Sequence, residues 1–176
     1  MIIKKKLLFI LIGNDCTGKT TLQKLLIEQL CGIQYEKLPT NIGLNITHPE
    51  IKRKYSKISF GNRSYQEKID KYGSVDNYFA NHFNEQKIAF ISSHLNRKDL
   101  EKMIFNGHRK FYNVCGIFFT NSINENMVLN SDISTLNWDE RLVIENPRVE
   151  HQQINSQLRK IAENITDLLI NKTKIS

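Results

Sequence analysis

The run Gly13-Asn14-Asp15-Cys16-Thr17-Gly18-Lys19-Thr20-Thr21 constrains the fold of this chain more tightly than any other stretch. It fits G-x-x-x-x-G-K-[ST]. Before it stands a continuous apolar run, Leu7-Leu8-Phe9-Ile10-Leu11-Ile12, and after it Leu22, Leu25, Leu26 and Leu30 recur at helical spacing. An unbroken apolar run is what a parallel strand needs when helices cover both of its faces. Leucines three and four residues apart give a helix one apolar stripe to lay on that strand. The chain must therefore turn sharply between Gly13 and Gly18, and the turn has a chemistry of its own. Two glycines let the backbone curl until successive N–H groups point inward, and the helix N-terminus behind them adds partial positive charge. Lys19 is placed to reach the β- and γ-phosphates of a nucleotide, and the Thr20 hydroxyl to ligate Mg²⁺. Gly13, Asn14, Asp15, Cys16, Thr17, Gly18 and Thr21 form the rest of the cradle. The motif predicts a nucleoside triphosphate, ATP with Mg²⁺, as the ligand.

The remaining pattern alternates strand and helix. Gly32 is placed to cap the first helix. Ile33 to Leu38 alternates as a short strand does before Pro39 stops it. Residues 40 to 62, with Gly43, Pro49 and Gly61, read as a loop with a helical turn, whereas Arg63 to Lys71 and Val75 to Gln86 read as helices. Lys87 to His94 has an apolar core ending in Ser92, Ser93 and His94, as suits a central strand whose carboxyl end opens into a crevice. Leu100, Met103, Ile104 and Gly107 mark the next helix, and Phe111 to Phe119 a further strand. Residues 120 to 138, rich in Asn and Ser, read as a loop or lid. Arg141 to Glu145 gives the last strand, closed by Asn146-Pro147, and Ile154, Leu158, Ile161, Ile165, Leu168 and Leu169 mark the last helix. This order predicts an α/β fold, a five-stranded doubly wound parallel sheet flanked by helices, as one domain over residues 1–176.

Composition narrows the function classes. A chain of 176 residues that is 40% hydrophobic can bury one core. The start, Met1-Ile2-Ile3-Lys4-Lys5-Lys6, imitates a secretory leader, but the apolar run after it is too short and no small-residue cleavage site follows. No segment approaches the ~20 apolar residues of a membrane span. The expectation is a soluble, cytoplasmic protein without a membrane partner. Cys16, Cys31 and Cys115 show no C-x-x-C spacing, so they read as reduced thiols and not as a zinc or redox centre. A net charge of +7 favours anionic partners, a nucleotide or a nucleic-acid end. The basic residues lack the aromatic interleaving of a single-strand platform, and a homodimer stays open.

The arrangement resembles the small P-loop kinases: nucleoside monophosphate kinases, thymidylate kinases and polynucleotide 5′-hydroxyl kinases. Gly13-x-Asp15-x-x-Gly18-Lys19-Thr20-Thr21 is similar to the thymidylate kinase form of the loop, which implies that Asp15 faces the acceptor nucleotide. From the residues alone, Asp15 serves equally to shape the loop. Ser92-Ser93-His94-Leu95 followed by Arg97 resembles the strand end where such kinases carry Asp-x-x-x-Leu and an arginine that clamps the acceptor. Asn146-Pro147 resembles the turn packed beside the adenine ring. The resemblance thus implies a kinase-like P-loop NTPase fold with catalytic roles for Lys19, Asp15 and Arg97. It also implies transfer of the γ-phosphoryl of ATP to a nucleotide acceptor, a (deoxy)nucleoside monophosphate such as dTMP. A polynucleotide 5′-hydroxyl kinase and a non-catalytic nucleotide-binding module are the alternatives.

Departures from that pattern are specific. Ser92, Ser93 and His94 replace the third-strand carboxylate that orders the magnesium water shell, no Asp-Arg-Tyr/His triplet follows, and residues 120 to 138 carry no arginine. Phosphoryl transfer leans on cations that neutralise developing charge, so Arg53, Arg63, Arg97 or Arg109 would have to serve. A GTPase-like switch lacks its guanine-reading Asn-Lys-x-Asp.

Overall fold

Burial on both faces selects the centre of the sheet. The computed structural model describes residues 6–174, so the leader-like start at residues 1–5 lies outside them. Six strands form one sheet: β1 (Lys6–Ile12), β2 (Asn41–Asn45), β3 (Lys57–Gly61), β4 (Ile88–Ser93), β5 (Tyr112–Phe119) and β6 (Glu140–Ile144). Their spatial order is β2-β3-β4-β1-β5-β6, and every neighbouring pair is parallel except β2 with β3. The helices are α1 (Lys19–Cys31), the short α2 (Ile69–Tyr72) and α3 (Val75–Asn77), α4 (Arg97–Arg109), α5 (Thr120–Glu125), α6 (Met127–Ser134) and α7 (His151–Lys174).

Alternation along β1 divides the core. Leu7, Phe9 and Leu11 pack with Leu22, Leu26 and Leu30 of α1 and with Leu158, Ile165 and Leu169 of α7. Leu8, Ile10 and Ile12 face the other way, onto Leu100, Met103 and Ile104 of α4. Each such side chain contributes about 1.5–3 kcal/mol when taken fully out of water, which explains why the most apolar run becomes the central strand. Phe9, Phe90 and Phe60 stack across β1, β4 and β3 with centroids 4.6 and 5.3 Å apart.

Four expectations are corrected. The sheet has six strands and one antiparallel edge, where five parallel strands are expected. Residues 33–38 form no strand; Ile33 is exposed, and of that stretch Leu38 alone is buried. The strands lie instead within the expected loop: Ile42 and Leu44 of β2 lean on the core, and Ser59, buried in β3, satisfies its hydroxyl by donating to Asn84 O at 2.6 Å. Their apolar content is too sparse and too interrupted by Gly, Ser and Asn to register as a run. Residues 63–86 break into short helical turns, with Gly73 at φ +70° separating α2 from α3. Finally, most of residues 120–138 is helical, α5 and α6 covering Thr120–Glu125 and Met127–Ser134, and Asn and Ser side chains there satisfy local backbone. Asn130 Nδ2 donates to Ser122 O at 3.1 Å and Asn126 O at 3.0 Å, while Trp138 Nε1 donates to Ile133 O at 3.0 Å. Among the described residues no helix is long and apolar enough to cross a membrane.

Candidate functional site

The carboxyl ends of the parallel strands converge on one edge of the sheet, where an α/β crevice forms. At the end of β1 the Gly13 N–H donates to Ser93 O at 3.0 Å, tying the start of the loop to the end of β4. The two motif glycines are needed for different reasons. A Cβ on Gly13 would stand 2.8 Å from Thr17 Cγ2, too close for any side chain. Gly18 has φ +99°, in the region that L side chains avoid. Cys16 is also left-handed, at φ +61°, which costs on the order of 1 kcal/mol. The loop leads directly into α1, which starts without a side-chain cap and without an acidic residue in its first turn. No side chain of that first turn compensates the positive end of the helix.

Lys19 lies inside the curl. Its Nζ donates to Gly13 O, to Asn14 O at 2.7 Å and to Thr17 Oγ1 at 3.3 Å, and the residue is 8% exposed. Burial pushes its ammonium down to about 8, against the upward pull of Asp15, Glu67 and Cys16. Thr20 stands exposed at the first turn of α1, its hydroxyl donating to Asn62 Oδ1 at 2.8 Å. Behind the loop, fully buried Gln23 donates to Ser92 Oγ at 3.0 Å and to Gly61 O at 3.2 Å, which joins α1 to the ends of β4 and β3.

The outer rim is braced from three sides. Thr17 O accepts from Asn146 Nδ2 at 2.9 Å and from Asn121 Nδ2 at 3.3 Å, and Cys16 O accepts from Arg148 Nη1 at 3.2 Å. Asn121, Asn146, Pro147, Arg148 and Leu158 close a hollow of about 100 Å³ beside the 16–18 backbone. On the other side, a groove of about 380 Å³ passes Asp15, Lys19, Thr20, Asn62, Arg63 and Glu67. That is within the size range of small-molecule sites. His94 Nε2 lies 3.4 Å from Asp15 Oδ1 and 3.6 Å from Glu67 Oε1.

The structure brings Cys16, Thr17 and Gly18 together with Asn146 and Pro147 around one hollow, and Asp15 through Thr21 line the adjoining groove. It does not bring Arg97 there. The Arg97 guanidinium donates to Asp132 O at 2.7 Å and Asp132 Oδ1 at 2.9 Å on α6. Gln23, Asn62, Glu67, Asn121 and Arg148 are site residues that sequence reasoning missed. Gln23 carried a usable signal, since it sits between Leu22 and Leu25 on a helix otherwise apolar at that position. The other four come from segments without periodicity. Comparison with protein-family models, curated proteins and solved structures returns no match.

Proposed function

We propose that the chain is an ATP-dependent phosphotransferase of the P-loop type that acts on a nucleotide. The observation that carries this reading is the Lys19 ammonium, buried inside a curl that only glycine permits at positions 13 and 18, at the uncapped start of α1. An anion arriving there meets a cation whose hydrogen-bond partners are carbonyl and hydroxyl oxygens, together with the positive end of a helix. The residues fit Mg²⁺–ATP: Thr20 would hold the ion, the 13–18 backbone and Lys19 the phosphates, and the small hollow at Asn146 and Pro147 the base side. A bound Mg²⁺–nucleotide would supply charge neutralisation between the β- and γ-phosphates. The protein's part is positioning: Gln23 fixes α1, and Asn121, Asn146 and Arg148 hold the rim, so the backbone donors stay aimed when phosphate arrives.

The acceptor side favours one choice over another. Two carboxylates, Asp15 and Glu67, face the groove, Arg63 is paired with Glu67 at 3.2 Å, and Arg97 is engaged by Asp132. Like charge disfavours a second phosphate there, which supports a hydroxyl acceptor such as a polynucleotide 5′ end beside the (deoxy)nucleoside monophosphate. The test is ADP release from labelled ATP with dTMP, with a 5′-hydroxyl oligonucleotide and with no acceptor. The reading expects release that rises steeply with one acceptor. Tight ATP binding with no acceptor dependence would make the chain a non-catalytic nucleotide-binding module, and no ATP binding would overturn the phosphate-loop reading itself.

A further inference from the structure

We propose that Asp15, Glu67 and His94 form a three-ligand site for a divalent transition metal of the zinc type, separate from Thr20. The three donor atoms come from three segments, the 13–20 loop, the turn after Ser64 and the end of β4, and all lie within 4.8 Å of one another. Donors on a tetrahedral ion with metal–ligand distances of about 2.0–2.2 Å stand about 3.4 Å apart. The two separations from the ring, 3.4 Å for His94 Nε2 to Asp15 Oδ1 and 3.6 Å for His94 Nε2 to Glu67 Oε1, are close to that edge, and the two carboxylates lie within 4.8 Å of each other.

A second observation is independent of the spacing. His94 Nε2 is shut off from water and makes no hydrogen bond, although two carboxylate oxygens lie close by. A ring nitrogen left so is costly, on the order of 1–3 kcal/mol, unless something coordinates it. Two of the three ligands sit on segments tied by hydrogen bonds. The backbone N–H of His94 donates to Gln66 Oε1 at 3.1 Å, and Gln66 Nε2 donates in turn to Asp99 Oδ2 at 2.8 Å, which ties the end of β4 to the turn that carries Glu67. Arg63 Nη1 occupies Glu67 Oε2 at 3.2 Å, which leaves Oε1 toward His94. The Arg63 contact is an outer partner of the kind that orients a coordinating carboxylate. One imidazole and two carboxylates suit Zn²⁺, Co²⁺ or Mn²⁺ better than Mg²⁺, which prefers oxygen donors throughout and keeps several waters. With three protein ligands the fourth position stays open to the groove, the arrangement of sites that bind a water or a substrate oxygen.

The test uses the full chain, stripped with chelator and free of nucleotide, titrated with Co²⁺ while its visible spectrum is recorded, then with Zn²⁺ in competition. One Co²⁺ per chain with tetrahedral absorption, displaced by Zn²⁺ and retained in a large excess of Mg²⁺, is the expected result. His94→Ala should weaken Co²⁺ binding by at least ~100-fold, beyond the roughly 10–100-fold typical of losing an outer-shell partner. Asp15→Asn, at a side chain 81% exposed, removes a ligand without threatening the core and should abolish the tetrahedral spectrum even where His94→Ala disturbs folding. Thr20→Ala should leave both unchanged. An absent spectrum, an unchanged Asp15→Asn variant, displacement by Mg²⁺, or loss in Thr20→Ala would each overturn the proposal. Because nucleotide is omitted, these outcomes do not depend on whether the chain turns over ATP.

Discussion

Replacing Lys19 by methionine separates the stability of the loop from its function. The ammonium is held at about 8 in the folded chain, against 10.5 when exposed, chiefly by burial. A shift of that size corresponds to about 3 kcal/mol of penalty on the charged form. The sign follows from proton counts. Between pH 8 and 10.5 the unfolded chain keeps a proton that the folded chain has lost, so the parent's stability rises with pH through that window and is flat below it. Lys19→Met has no such group. The stability difference, parent minus variant, should therefore grow by about 2.5 kcal/mol between pH 7 and pH 10, while all other titrations cancel in the subtraction. At pH 7 the variant escapes the desolvation penalty but leaves the Gly13 and Asn14 carbonyls without their donor, a loss of about 1–3 kcal/mol. The two chains should then lie within roughly 2 kcal/mol of each other. Urea unfolding at both pH values measures this, and a difference that changes by less than about 0.5 kcal/mol would show that Lys19 is not desolvated as described. Calorimetry adds the functional half. ATP binding should disappear in Lys19→Met, and in the parent it should weaken by up to about tenfold per pH unit above 8, because phosphate binding requires the protonated amine.

Thr20→Ala should lower ATP affinity in Mg²⁺ by about tenfold or more while leaving binding in chelator unchanged; equal losses in both would remove Thr20 from the metal shell. Asn146→Ala deletes a buried amide that donates to Thr17 O at 2.9 Å, and should cost about 1–3 kcal/mol of stability and weaken ATP with it, as read by melting curves with and without nucleotide. A melting curve that does not move would mean that Asn146 does not brace the loop. Arg97→Ala breaks an ion pair 40% and 51% exposed on its two sides, so a stability change under about 1 kcal/mol and unaltered acceptor kinetics are expected. A tenfold or larger fall in acceptor kcat/KM would restore Arg97 as an acceptor clamp.

What was legible in the sequence was whatever had to be dense. β1, α1, β4, β5 and α7 each carry either an unbroken apolar run or leucines and isoleucines at helical spacing, because each is buried on a face that leaves no choice. β2 carried no such signal. It is an edge strand with one exposed face, built from Asn41, Ile42, Gly43, Leu44 and Asn45, and its partner β3 fixes it by backbone pairing from Ile42 to Phe60 and from Leu44 to Ile58. Long-range pairing of that kind leaves no local pattern. The Asn- and Ser-rich segment misled for a related reason: Asn121, Ser122 and Asn130 are buried, and Asn121 donates to Thr17 O, a partner that only the folded chain brings near.

The same contrast governs the site. The loop was readable because its chemistry is local, with two glycines, a lysine and a threonine at fixed spacing. Its surroundings were not, because they are assembled by topology. Parallel strands deliver their carboxyl ends to one edge, so Ser92, Ser93 and His94 after β4, Asn62 after β3, Thr120 and Asn121 after β5 and Asn146 after β6 arrive beside the loop whatever their separation in the chain. This convergence bears on the carboxylate that the β4 end lacks. Glu67 comes into the groove from a turn that no motif marked, and with Asp15 it puts negative charge beside the β4 end, where the sequence has Ser92, Ser93 and His94. The two carboxylates lie close enough to His94 that a bound divalent cation would cancel their charge. The acceptor side of the groove would then oppose a second phosphate less, so Co²⁺ should shift the acceptor preference toward a phosphate-bearing acceptor, and a preference unmoved by Co²⁺ would show that these carboxylates do not set it.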